Sequence, residues 1–283
     1  MERPLVSVVI PTYNRAASVK KTLDSVFLQT YKNLEIIIID DCSTDDTSKV
    51  LYVISSKDNR VRVLRNEKNL RLVRTLNKGV KAAKGKYIAR LDDDDVWLDA
   101  DKIEKQINFL ESHPDYVLTG GGVIKVDEQG GEISRVLFPK EDIRIREAML
   151  FRSLFIHSAV VFRRDVFDKI GGYNENLSVC EDYDLWLRMG RVGKLYNFPD
   201  YFVRYAESDS NLSNTQLRKI FWRNVLLVKK YGRYYPHFKK AFFLRIGYYL
   251  YSFIPFYKQL MPLFSKAKRG LKLAKTKPDK WLI

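Results

Sequence analysis

Residues 5–10 (LVSVVI) and 34–39 (LEIIII) are β-branched and apolar almost without interruption. That is the pattern of strands covered on both faces rather than one. Between them, residues 18–29 place Val19, Leu23, Val26 and Phe27 at helical spacing, so the stretch predicts strand–helix–strand. A short strand over 61–64, a helix over 70–83 closed by Gly85, and a strand over 87–91 continue the alternation. A helix over 102–112 stops ahead of Pro114. Strands over 116–125 and 158–162 and short helices over 165–170 and 182–189 follow. Alternation from the first residues onward predicts an α/β fold, with a Rossmann-like, mostly parallel central sheet flanked by helices.

After residue 210 the pattern changes. LRKIFWRNVLLVKKYG (217–232) sets Leu217, Ile220, Phe221, Val225 and Val228 on one helical face. FFLRIGYYLYSFIPFY (242–257) is nearly all apolar and aromatic, but Arg245 and Pro255 interrupt it. A bilayer span needs about 20 uninterrupted apolar residues, and this run falls short.

The chain has 283 residues, 46% of them hydrophobic and 30% charged, enough for one large domain with an appendage. Its formal charge of +16 points at first to nucleic acid. The location of that charge argues otherwise. Residues 211–283 hold 17 Lys or Arg and one acid, Asp279, whereas residues 1–210 hold 33 basic and 33 acidic side chains. We therefore divide the chain into a neutral domain, 1–210, and a basic, aromatic helical extension, 211–283. Cys42 and Cys180 have neither metal-ligand spacing nor a disulfide framework, which fits a reducing compartment. The start, MERPLVSVVIPTYN, lacks the charged leader and long apolar core of a signal peptide. The expected location is the cytoplasm.

In open α/β sheets, ligands bind beyond the carboxyl ends of the strands. That rule selects residues 11–15, 40–45 and 92–95. None contains GxGxxG or GxxxxGK[ST], which weighs against dinucleotide dehydrogenases and P-loop NTPases. Two of the three carry several Asp instead, and RLDDDDVW (90–97) stacks four. Such a cluster repels a diphosphate unless a divalent cation lies between them, so a metal-bridged nucleotide is expected. A nucleotidyltransferase shares the sheet type and the carboxylates, but it wants a Gly-rich, Lys-bearing loop after the first strand, which PTYNRAAS (11–18) is not. A nucleic-acid-binding protein working through the basic tail is the other alternative. Its weakness is the acid-rich strand ends, and no nucleic-acid partner is expected.

Four segments in order, VSVVIPTYNR, IIIIDDCSTDDT, NKGVKAAKGKYIARLDDDDVW and GGYNENLSVCEDYDLWLRMG, resemble the inverting family 2 glycosyltransferases with the GT-A fold. The resemblance covers roughly residues 5–210. It implies that Asp92-Asp93-Asp94 is a DxD motif, with Asp94 first and Asp92 second as contacts of Mn²⁺ or Mg²⁺, Asp92 alternatively on the ribose, and Asp93 beside the nucleotide. Hard oxygen ligands suit those cations. PTYN and DDCS would form the base side of the pocket, with Pro11 and Tyr13 against the ring, Asp41 accepting the ring N–H and Asp40 nearby. A carboxylate acceptor favours uridine or thymidine diphosphate sugars. CEDYDLWLR would supply the catalytic base, Asp182, with Glu181 and Asp184 shaping the charge around it. The bland readings are helix or turn capping for Asp40 and Asp41, and macrodipole compensation for Glu181 and Asp182.

The chain also departs from the family pattern. Leu76 stands where relatives carry an Arg that approaches the phosphates, and Arg71 stands where Gly is common; Arg71 or Arg74 would have to substitute, or the helix face is simply solvated. VRYAESDSNLS (203–213) lacks the His frequent after the last strand. His157 either borders the acceptor site or is structural. The acceptor implied is a glycan or lipid-linked hydroxyl in cell-surface polysaccharide or glycoconjugate synthesis. Aromatic rings among Lys and Arg suit an interfacial segment. Residues 211–283 are therefore expected to hold the enzyme on the anionic inner face of the cell membrane, the alternative being a helical extension packed on the first domain.

Overall fold

The computed structural model describes residues 3–207 and 215–254. β1 (Val6–Thr12) and β2 (Leu34–Asp40) are buried almost end to end, as their unbroken apolar runs require, and pair in parallel from Val6 opposite Leu34 to Thr12 opposite Asp40. β3 (Val61–Arg65) joins the outer side of β2 in parallel, and β4 (Tyr87–Arg90) joins the other side of β1. α1 (Val19–Phe27), α2 (Thr47–Ser55) and α3 (Leu72–Ala82) make the crossovers. A Cβ on Gly79 would lie 2.5 Å from Ile39 Cδ1 and 2.8 Å from Val9 Cγ1. Only glycine lets α3 lie that close to the sheet.

Beyond β4 the sheet becomes mixed. After β5 (Val96–Trp97) and α4 (Lys102–Ser112), the long β6 (Tyr116–Val126) turns into β7 (Glu132–Val136) as an antiparallel hairpin. α5 (Asp142–Ala148) and a 3-10 turn at His157–Ala159 lead to β8 (Val161–Arg163), which runs antiparallel between β4 and β6. α6 (Arg164–Lys169) and α7 (Glu181–Met189) precede β9 (Lys194–Ala206), parallel to β6. Among the described residues the nine strands form one sheet, ordered β3-β2-β1-β4-β8-β6-β9-β5 with β7 outside β6. The sequence pattern anticipates the parallel half closely. It misses α2, the two-residue β5, β7, α5 and β9, and the strand expected over 158–162 is a 3-10 turn followed by β8 from Val161. α2 buries only Thr47 and Leu51, β7 buries nothing, α5 buries only Ile145, and Pro199 sits inside β9.

α8 (Leu217–Tyr231) and α9 (Phe238–Tyr251) form a helical hairpin, with Phe221 against Tyr248 and Trp222 against Tyr249. Of the expected apolar face of α8, Val225 and Val228 are fully buried. The main core continues into this hairpin through Leu227, Val228, Tyr231, Tyr235 and Ala241. No helix among the described residues is long and apolar enough to cross a membrane. The expectations for residues 208–214 and 255–283, including Pro255 and most of the basic tail, lie outside the described residues.

Arg71, at the N-terminus of α3, has φ 67° and ψ 165°. That region is essentially reserved for glycine and costs other residues on the order of 1–3 kcal/mol. Arg71→Gly is expected to raise unfolding stability by about 1 kcal/mol after the entropic penalty of glycine. An unchanged or lower urea midpoint would show that the side chain repays the strain through its contacts.

Candidate active site

The loops after β1 and β2 are stitched together. Asn14 turns through the left-handed region at φ 53°. Its backbone N–H donates to Ser43 Oγ (3.0 Å), and its Oδ1 accepts from the backbone of Thr44 (2.8 Å). The N–H of Arg15 donates to Thr47 Oγ1 (2.8 Å). Asp40 is buried, its Oδ1 accepting from Ser43 N (2.8 Å) and its Oδ2 from Ser48 Oγ (2.6 Å), with Arg65 Nη1 at 3.4 Å. Both oxygens are thus engaged within the fold, and Asp40 shapes the loop rather than presenting a free carboxylate. Asp41 accepts through Oδ1 from Asn66 Nδ2 (2.7 Å) and Leu70 N (2.8 Å). Pro11 lies at the buried end of β1, and Tyr13 projects beside it, 44% exposed.

The four acids after β4 occupy four different environments. Arg90, the last residue of β4, is 1% exposed and pairs with Asp92 Oδ1. Ser158 Oγ lies 3.1 Å from Asp92 Oδ2 and accepts from Asp92 N at 3.0 Å. Burial opposes ionisation of Asp92, but the charge of Arg90 and its hydrogen bonds outweigh burial and hold the carboxyl below the ordinary range. Asp93 accepts from Tyr13 N (3.3 Å), and Arg15 Nε lies 3.7 Å away. Burial, then the charges of Asp94 and Asp92, push Asp93 up to about 7. Asp94 is half-buried, 3.6 Å from Arg15 Nη2, and is also raised, by burial first and Asp92 second. Asp95 is fully buried, bonded to Ser158 Oγ and accepting from Ala206 N (3.3 Å), and so ties the end of β9 to the turn. The run is followed by β5, which holds Trp97, and no helix begins before α4 at Lys102, so these acids cap no helix.

α7 enters from Cys180, held in the left-handed region at φ 61°. Glu181 and Asp182 form its first turn. Burial raises both above the ordinary carboxylate range, with the Asp182 charge adding at Glu181 and the Asp92 charge adding at both. Arg90 acts on both in the opposite sense. The acid pair and the acid run therefore share one buried field, with Arg90 as its cation. Nε and Nη1 of Arg90 are buried without a hydrogen-bond partner in the protein.

Other expected residues lie elsewhere. Asp184 is fully buried and faces away, toward Arg188 and Tyr231. Leu76 is in the core, so no phosphate contact comes from that position. Arg74 pairs with Glu175 at 3.5 Å, and no described ion pair joins Arg71 or Arg74 to the acid run. His157 stays near the acid run, in the field of Arg90 and Asp92. Its Nε2 lies 2.7 Å from Tyr173 Oη within an aromatic cluster, and burial first, then the Arg90 charge, lowers its pKa to about 3. Arg15, Arg90 and Ser158 were not anticipated as site residues. Arg90 had left a signal: an arginine at the end of an otherwise apolar strand run needs a buried counter-charge.

Among the described residues, no three His, Cys, Asp or Glu side chains converge into a ready-made metal cage. The donor set still fits Mg²⁺ or Mn²⁺, which bind through one or two carboxylates and complete their shell with phosphate and water. Asp94 offers the accessible carboxylate, Asp92 a second, and the run already draws a cation, the Arg15 guanidinium, to itself.

The sequence profile of glycosyl transferase family 2 matches residues 7–171. An uncharacterized glycosyltransferase of Haemophilus influenzae is 34% identical over 217 residues, 71% of this chain and 65% of that protein, so this chain spans just under two thirds of that relative. The amylovoran biosynthesis glycosyltransferase AmsE of Erwinia amylovora is 30% identical over 275 residues, 94% of this chain and 100% of that protein. The mannosyltransferase PcManGT from Pyrobaculum calidifontis, solved with GDP-Man and Mn²⁺, superposes with a TM-score of 0.65 at 18% identity, covering 98% of this chain and 77% of that one. That superposition establishes the GT-A type of fold, and the profile match runs through the loops after β1, β2 and β4. The profile match and these sequence relatives show that the chain belongs to glycosyltransferase family 2.

Proposed function

We propose that this protein is a metal-dependent, inverting glycosyltransferase that moves a sugar from a UDP- or dTDP-linked donor to a hydroxyl of a glycan or lipid-linked acceptor. The observation that carries the reading is the shared electrostatic field of Asp92, Arg90, Glu181 and Asp182 at the carboxyl edge of the sheet. Tyr13 lies against the base, and Asp41, whose Oδ1 is held by Asn66 and Leu70, offers Oδ2 to the ring N–H. Asp92 serves ribose or metal, Asp94 serves metal, and Asp93 borders the nucleotide. A bound Mn²⁺ or Mg²⁺ supplies positive charge to the leaving diphosphate. Arg90, itself buried, contributes its charge to the same place from beneath the acid run.

Asp182 takes the proton of the acceptor hydroxyl as its oxygen attacks the anomeric carbon opposite the diphosphate, which inverts that centre. A positioned base contributes on the order of 10²- to 10⁴-fold. The raised pKa of Asp182 suits a group that must accept a proton near neutral pH. The role of AmsE in amylovoran biosynthesis supports a polysaccharide setting for this chain. Phe243 and Leu250 on α9 and Phe253 and Ile254 just beyond it are exposed, as is Trp222 on α8, with exposed lysines at 239 and 240. Those side chains support attachment to an anionic membrane face, while the opposite face of the hairpin packs on the core.

Three outcomes test the reading. In a panel of UDP-, dTDP- and GDP-sugars, Mn²⁺ is expected to enable binding and slow hydrolysis of a UDP or dTDP donor, and Asp94→Ala to lose the metal-dependent binding measured by calorimetry. Asp182→Asn is expected to bind the same donor and lose at least about 100-fold in turnover; transfer near the wild-type rate would remove Asp182 from the base role. Phe243→Ser combined with Leu250→Ser is expected to release the protein from phosphatidylglycerol vesicles in co-sedimentation, and unchanged pelleting would dismiss membrane attachment through these side chains.

A further inference from the structure

α7 is nine residues long, begins at a left-handed Cys180 and has no side-chain N-cap bond. A helix that short is not self-sustaining, so its placement is imposed from outside. Its third acid shows where. Asp184 Oδ2 accepts from Arg188 Nε (2.8 Å), and its Oδ1 accepts from Tyr231 Oη (2.7 Å), with Lys230 Nζ at 3.7 Å. Arg188 is a helical neighbour, but Tyr231 arrives from the end of α8 and is itself buried. One turn further along, Tyr235 Oη donates to the Leu187 carbonyl at 2.8 Å. Beside Asp184, the Arg245 guanidinium of α9 lies 5.9 Å from the Tyr183 ring and donates to the Leu150 carbonyl at 3.3 Å. The hairpin thus grips α7 at 183, 184 and 187, all within five residues of Asp182.

We propose that Tyr231 and Asp184 are positioning residues through which the C-terminal hairpin fixes the orientation of the helix that carries Glu181 and Asp182. The hairpin is then part of the active-site scaffold, and its basic, aromatic outer face is a separate matter. Arg188 travels with α7, so the bond that fixes the orientation is the one from Tyr231: rotation of α7 leaves that hydroxyl and one carboxylate oxygen unpaired in the interior. A small change in the orientation of a reacting group is costly in rate. The inference rests on the assignment of Asp182 as the base.

The test uses the full chain with three single variants, the Tyr231→Phe/Asp184→Asn double variant, and Asp182→Asn. Tyr231→Phe deletes one hydroxyl. Tyr31→Phe is the matched control, since it deletes a hydroxyl that donates to the Pro4 carbonyl at the opposite end of β1. Asp184→Asn keeps the shape and removes the charge. Binding is read with UDP and Mn²⁺, and turnover as hydrolysis of the best donor in the panel. Tyr231→Phe is expected to lower turnover about tenfold or more while the dissociation constant of UDP stays within about twofold. Tyr31→Phe is expected to keep turnover at a comparable drop in melting temperature. Asp184→Asn is expected to lower turnover similarly, and the double variant to lose no more than the worse single one. Wild-type turnover in Tyr231→Phe, nucleotide affinity falling in step with turnover, or additive losses in the double variant would each overturn the proposal. Asp182→Asn separates the two claims: if it is active, the base assignment fails, whereas if it is inactive beside a fully active Tyr231→Phe, only the positioning pair fails.

Discussion

Negative charge taken out of water is what the carboxyl edge of this sheet has to accommodate. Asp40, Asp41, Asp95 and Glu181 are buried, Asp92 to Asp94 are partly so, and most of them lie within each other's field. Unpaired, such groups would protonate or open the structure. Each is dealt with locally. Asp40 and Asp41 are neutralised by hydrogen bonds within the loops, Asp92 by Arg90, and Asp95 by Ser158 and a backbone N–H. Asp93 and Asp94 have only the half-exposed Arg15 as a cation, so the balance of charge at this edge stays incomplete. On the proposed function, a cation and a diphosphate entering together would complete it.

The fold was legible in the sequence where burial was extreme. β1 and β2 could be read from runs that tolerate no water on either face, and the helix expected over 102–112 spans the same residues in the structure. Legibility failed where burial was shallow, as on α2 with two buried residues, or where Pro199 sits inside the long β9. The candidate site divides in the same way. Asp92, Asp94 and the Glu181–Asp182 pair stood out because clustered acids at strand and helix ends have few other uses. Arg90 was passed over although its ion-pair partner, Asp92, is two residues away; what no local pattern announces is that its charge also acts on Glu181 and Asp182 at the start of α7. Asp184 was assigned to the catalytic surroundings by adjacency alone; helical periodicity turns a residue two positions on toward the opposite side.

Charge counting drew a line at residue 210, and packing does not respect it. Among the described residues beyond that point, Lys229, Lys230, Lys239 and Lys240 face outward, whereas Val228, Tyr231 and Tyr235 face inward. Composition averages over both faces of a helix, so a segment can read as a solvated tail while half of it closes the core. The two descriptions apply to different sides of the same hairpin.

The stitching of the first two loops by Asn14 has a thermodynamic consequence. Because one amide side chain and the backbone N–H of the same residue join the turn after β1 to the turn after β2, the two loops are a single preformed piece. A nucleotide bound there, as proposed, would meet a surface whose conformational freedom was surrendered during folding, so association need not be debited again for ordering it.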